Sequence, residues 1–159
     1  MSKYCSNVRY QKTVNSYESR VLEKAAEIIA KQFLRGDICS SVSATKAYLS
    51  YKMGSYEREI FAVLLLDSQN RLLGYRELFH GTIDTASVYP REVVKLALRE
   101  NAAALIFAHN HPSGVSEAST SDKQITSRLK EALSLIDVRV LDHVIVGENC
   151  FSFAEKGLL

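Results

Sequence analysis

The chain has 159 residues, 47% hydrophobic and 24% charged, with a formal net charge of +2. That length suits one domain with a sizeable core and is short for two, and the composition is that of a folded globular protein, which excludes a disordered chain. The small net charge does not by itself argue for nucleic-acid recognition, although residues 1–36 carry seven Lys/Arg against three Glu (+4) and the remainder thirteen against fifteen Asp/Glu (−2).

The three cysteines, Cys5, Cys39 and Cys150, are odd in number and far apart. They read as reduced thiols, not as a disulfide framework, and no CxxC pair offers a thiolate zinc site. The opening MSKYCSNVRYQKTV has no apolar signal region, and runs such as FAVLLL at 61–66 are far below the ~20 residues of a membrane span. The expectation is a cytoplasmic protein.

In chain order, the first sixteen or so residues carry little periodicity and read as an arm. Ser16 precedes a helix with Val21, Ala25, Ile28, Ile29 and Phe33 at helical spacing, ending near Gly36. Residues 1–36 are therefore read as an N-terminal arm and helix, and 37–159 as the main domain. A shorter helix is expected over 43–52, with Ser43 as N-cap. At Glu59 the period changes: EIFAVLLLD, a polar SQNR turn and LLGYRELF predict two strands, the first apolar on both faces and so central. Pro90 suits the first position of the helix REVVKLALREN. AALIFA at 103–108 is a buried strand. From Thr120, Ile125, Leu129, Leu133 and Ile136 mark an amphipathic helix, then VRVLDHVIVG is a strand and NCFSFAE one more. The order α, α, β, β, α, β, α, β, β predicts a single mixed-sheet α/β domain with a short N-terminal helical extension.

The strand AALIFA opens directly onto HNHPSG. Extended residues alternate in direction, so His109 and His111 point to the same side and can converge on one ion. Neutral imidazole is a good zinc ligand, and a catalytic zinc takes three protein ligands and leaves a fourth position open. Asp122, in the first turn of the helix that follows, can return to the strand end as the third ligand; the helix dipole would favour its anion. The same residues also make a capping box, with Ser119 as N-cap and Asp122 at N3. Residue spacing alone leaves both readings open.

His-x-His, seven residues, Ser, two residues, Asp resembles the JAMM motif of MPN-domain metalloproteases, here His109, His111, Ser119 and Asp122. More closely, EREIFAVLLLDSQNRLL, the Gly-Thr at 81–82, PREVVKLAL, AHNHPSG and LDHVIVG make the chain from about residue 57 to 159 similar to the RadC family. The resemblance implies an MPN (JAB/JAMM)-like fold with cytidine-deaminase-like layering over residues 37–159, and a Zn2+-dependent hydrolase site. Longer members carry an N-terminal helix-hairpin-helix region. No such glycine pattern precedes Glu57, and the short stand-alone members found on prophages and mobile elements are more similar. Tyr89 and Ala118 stand where many members have His and Pro; neither is a proposed ligand.

Among Glu57, Glu59 and Glu77, the family's base two residues before the strand phenylalanine matches Glu59. The residues alone favour a solvated charge at the strand start; the resemblance makes Glu59 the base that takes a proton from the metal-activated water. Ser119 could donate to the developing oxyanion as well as cap the helix. His143 is a candidate to orient a ligand from behind, or a buried strand histidine. His80 is unassigned, and Arg91 and Glu92 read as a helix-start charge pair. HNH here is no HNH nuclease, whose named residues lie far apart in sequence. The expected function is hydrolysis of an amide, peptide or isopeptide bond in an unidentified peptide or protein. The alternative is a DNA-repair- or mobile-element-associated accessory protein that binds nucleic acid or a protein partner without turnover, supported only by the +4 leader. A metal-stabilised module without turnover is disfavoured, because structural zinc normally has four protein ligands and no base.

Overall fold

The apolar strand segments assemble into one sheet in the computed structural model, which describes residues 16–34, 41–81 and 88–159. Its elements are α1 (Ser16–Leu34), α2 (Val42–Met53), β1 (Ile60–Leu66), β2 (Leu72–His80), α3 (Pro90–Arg99), β3 (Ala104–Asn110), α4 (Thr120–Ser134), β4 (Arg139–Val146) and β5 (Cys150–Ser152). The sheet order is β2-β1-β3-β4-β5. Only β3 and β4 run parallel, with α4 as their crossover; the other neighbours are antiparallel. This is the mixed α/β domain expected.

Period-two alternation gives the sheet two cores. Ile60, Ala62, Leu64 and Leu66 of β1, with Ala104, Ile106 and Ala108 of β3, pack against Tyr48, Leu49 and Met53 of α2. Phe61, Val63 and Leu65, with Leu105 and Phe107, face the opposite side and meet Val93, Leu96 and Ala97 of α3 and Leu129 and Leu133 of α4. Both faces being covered is why β1 and β3 are apolar throughout. Helix α1 lies against α2.

Two boundaries differ from the sequence reading. Helix α2 is capped by Ser41, whose side chain accepts from Ala44 N–H; Ser43 lies inside the first turn. A serine two residues earlier offered the same chemistry, so composition could not choose between them. Strand β3 continues through Asn110, because its pairing with β4 holds to Asn110↔Val146. His109 is thus a strand residue, not a loop residue. The arm over residues 1–15, the helix end at Gly36, the 36/37 boundary, and Cys5 and Cys39 lie outside the described residues.

Candidate metal centre

The end of β3 meets the start of α4, the arrangement in which α/β sheets place ligands beyond the carboxyl ends of parallel strands. β1 and β3 pair as far as Phe61↔His109. Beyond that pair the two strands part, and a cleft of about 990 Å³ opens between them, lined by Glu59, Gly81, His111, Val115, Ser119 and Asp122 among others. Glu59 continues the face of Phe61, and His109 the face of Phe107.

Glu59, His109 and His111 offer ligand atoms that all lie within 4.8 Å of one another. The Nε2 atoms of the two histidines are 2.9 Å apart. Asp122 stands outside that trio and reaches it through His109, with Oδ1 3.3 Å from Nε2. Its other oxygen, Oδ2, accepts from Ser119 N–H at 2.8 Å and Ser119 Oγ–H at 2.7 Å, while Asp122 N–H donates to Ser119 Oγ at 3.1 Å. The two oxygens of Asp122 therefore divide their contacts: one closes the helix start and the other lies against His109.

Hydrogen bonds behind the histidines fix which nitrogens are bare. Thr126 Oγ1–H donates to the Asp122 carbonyl at 2.5 Å. Its single proton is thereby used, so at 2.6 Å it must accept from His143 Nδ1–H. His143 Nε2 is then bare and accepts from His109 Nδ1–H at 2.8 Å, leaving the lone pair of His109 Nε2 facing the cleft. His111 Nδ1–H donates to the Val115 carbonyl at 2.8 Å, which bares its Nε2 as well. His143 thus backs His109 with a hydrogen bond from the side away from the cleft. Sequence reasoning missed Thr126, although it lies four residues after Asp122 and so on the same helix face.

Burial is the main reason the His109 imidazole drops to about 4; Asp122 opposes the shift and His111 adds to it. Burial, then His109 and His111, hold His143 well below its ordinary value too. At neutral pH His109 is therefore uncharged and makes no ion pair with Asp122. Two bare nitrogens and the Glu59 carboxylate surround one space, with Asp122 against His109 beside it, and facing lone pairs at 2.9 Å require a proton or a metal ion between them. A tetrahedral zinc, with Zn–N bonds of about 2.0–2.1 Å, would need the nitrogens to part by roughly 0.5 Å. The donor set, neutral imidazoles with one or two carboxylates, fits such an ion. Of the remaining candidates, Arg91 and Glu92 form a charge pair at the start of α3. Among the described residues no helix is long and apolar enough to cross a membrane.

A family model described as the RadC-like JAB domain matches residues 39–158. A UPF0758 protein of Vibrio cholerae is 60% identical over 150 residues, covering 94% of this chain and 96% of its own length. UPF0758 proteins of Thioalkalivibrio sulfidiphilus and Pseudoalteromonas translucida are 54% and 55% identical over 139 and 140 residues. Each covers 87% of this chain, which spans 62% of their length.

Proposed function

This chain belongs to the RadC-like JAB domain family, and from that premise we propose that it is a metal-dependent hydrolase of the JAMM type. The bond is an amide, peptide or isopeptide bond, and the metal is zinc. The observation that carries the reading is the pair of bare Nε2 atoms, held by separate hydrogen bonds behind each ring and facing one another beside two carboxylates. Two facing lone pairs at 2.9 Å need a positive charge between them, and a divalent cation supplies it beside the carboxylates.

In this proposal His109, His111 and Asp122 hold the metal. When bound, the metal supplies Lewis acidity, polarising a carbonyl and lowering the pKa of water to about 7. Glu59 takes the proton from the attacking water and passes it to the leaving nitrogen. Its carboxylate is close enough to both histidines for this. The Ser119 hydroxyl now donates to Asp122 Oδ2. Rotation about its C–O bond redirects that proton to the oxyanion, while Asp122 keeps the Ser119 backbone N–H. The same serine thus orders a ligand in one rotamer and stabilises charge in the other.

The test has two parts. Purified protein is expected to hold about one zinc per chain and Asp122→Ala to lose most of it, measured by elemental analysis. Absence of metal from zinc-supplied wild type would leave Ser119 and Asp122 as a helix cap alone. In a peptide-library digest, Glu59→Gln should retain zinc and lose at least about 100-fold in turnover; unchanged turnover removes Glu59 from the mechanism.

A further inference from the structure

We infer that Asn110 is a positioning residue that sets Glu59 in the cleft by clasping the backbone on both sides of it. The inference rests on the function proposed above, since it acts through the role given to Glu59 there. Asn110 lies between the two histidines but on the other face of β3, in line with Ala104, Ile106 and Ala108. That face is otherwise an apolar core, and Asn110 is 3% exposed. A buried amide among apolar side chains is there for its partners.

Those partners all belong to the segment that carries Glu59. Oδ1 accepts from Ile60 N–H at 2.9 Å, and Nδ2 donates to the Arg58 carbonyl at 2.9 Å and the Tyr56 carbonyl at 3.3 Å. The amide orientation follows from the partners: turned over, it would set an oxygen against two carbonyls and an NH2 against an N–H. The paired register of β1 with β3 stops at Phe61↔His109, so the amide spans the gap where the strands part. One side chain therefore bridges the gap and fixes the far wall of the cleft. Its own strand also carries the two histidines, so this side chain ties the Glu59 segment directly to them, beside the Phe61↔His109 pairing and the Gly81 N–H bond to the Glu59 carbonyl. No chemistry falls to Asn110 itself.

Zinc is d¹⁰ and has no visible d–d spectrum, so the experiment uses the full chain loaded with cobalt(II), with Glu59→Gln, Asn110→Asp and the double variant compared. Asn110→Asp keeps the acceptor for Ile60 N–H and replaces the donor with an oxygen facing two carbonyls. It is expected to bind about one cobalt, with its visible spectrum moved to that of Glu59→Gln and no further change in the double variant. A wild-type spectrum from Asn110→Asp overturns the inference, as does loss of cobalt from it where Glu59→Gln retains the metal. If wild type takes up no cobalt, the metal reading is what fails; if Glu59→Gln binds cobalt with the wild-type spectrum, the spectrum does not report on Glu59. The clasp is then decided by amide exchange in metal-free protein. The Ile60 amide should exchange about tenfold faster in Asn110→Ser than in wild type, and equal rates overturn it. Should Asn110→Asp not fold, Asn110→Ser replaces it in the cobalt comparison.

Discussion

Thr126 carries no charge and faces the interior, yet its hydroxyl decides which nitrogen of His109 is bare. Replacing it by Val keeps the shape and removes both the donor to the Asp122 carbonyl and the acceptor for His143 Nδ1–H. The His143 tautomer is then unspecified, and with it that of His109. Thr126→Val should weaken zinc binding by about 10–100-fold and Thr126→Ser should restore it, read by competition with a chelating dye. Equal affinities would show that the ring is oriented by packing alone. The same burial predicts a pH dependence in metal-free protein. The folded-state pKa values of His109 and His143 lie below the unfolded value of about 6.5, so the folded chain binds fewer protons than the unfolded one in that range. Stability from these groups is present above pH 6.5 and is lost as pH falls from 6.5 towards about 4, the folded value of His109. Urea midpoints in the presence of a chelator should drop across that window; a flat profile would mean the rings are not held neutral.

Between β3 and α4 the loop has little apolar anchorage and is held to the β4–β5 turn by polar contacts. Glu148 N–H donates to the Gly114 carbonyl at 2.9 Å, and Ser116 Oγ–H donates to the Asn149 carbonyl at 2.5 Å. Gly147 is the close approach that permits this: a Cβ there would stand 2.5 Å from the Gly114 carbonyl oxygen. Backbone cannot yield as a side-chain tip can, so Gly147→Ala should displace the loop. The expected loss is about 1–3 kcal/mol of stability together with weaker zinc binding, measured by denaturant titration and dye competition; a wild-type result in both would show that the loop is not held there. Such contacts explain what the sequence could and could not disclose at this scale. The strands were legible because Ile60–Leu66 and Ala104–Asn110 are buried on both faces, and such runs read as strand whatever surrounds them. The start of α4 was legible as a cap, which the Ser119–Asp122 hydrogen bonds form; the ligand turn belongs to the proposed function, and the second Asp122 oxygen beside His109 leaves room for it. The Ser41 cap, the Gly147 approach and the Asn110 clasp were not legible, since each depends on a partner distant in sequence or on a choice between equivalent neighbours. Asn110 did leave a trace: it is a polar residue on the apolar face of a buried strand.

At the scale of the whole molecule, the two cores decide what a bound metal would be for. Leu49, Met53, Leu65, Phe107, Leu129 and Leu133 are fully buried without any contribution from the histidine cleft. A chain with that much interior does not need an ion to fold, unlike a small domain organised around structural zinc. A metal held by His109, His111 and Asp122 would bind the folded state and leave the unfolded one largely untouched, so it should stabilise by mass action. At a free zinc concentration 100 times the dissociation constant the gain is about 2.7 kcal/mol, or a rise in Tm of roughly 5–11 °C for a chain of this size. Chelator-treated protein should therefore still unfold cooperatively, at a Tm lower by about that amount, and His109→Ala should show no zinc-dependent shift. Collapse of the fold on chelation would instead mark the ion as a structural one, and a site with a glutamate beside an open cleft would lose its reason. Cooperative unfolding with a zinc-dependent Tm requires that sheet and helices stand by themselves and present the donors already in place. That is the condition under which Glu59 faces a preformed centre rather than one assembled by the metal.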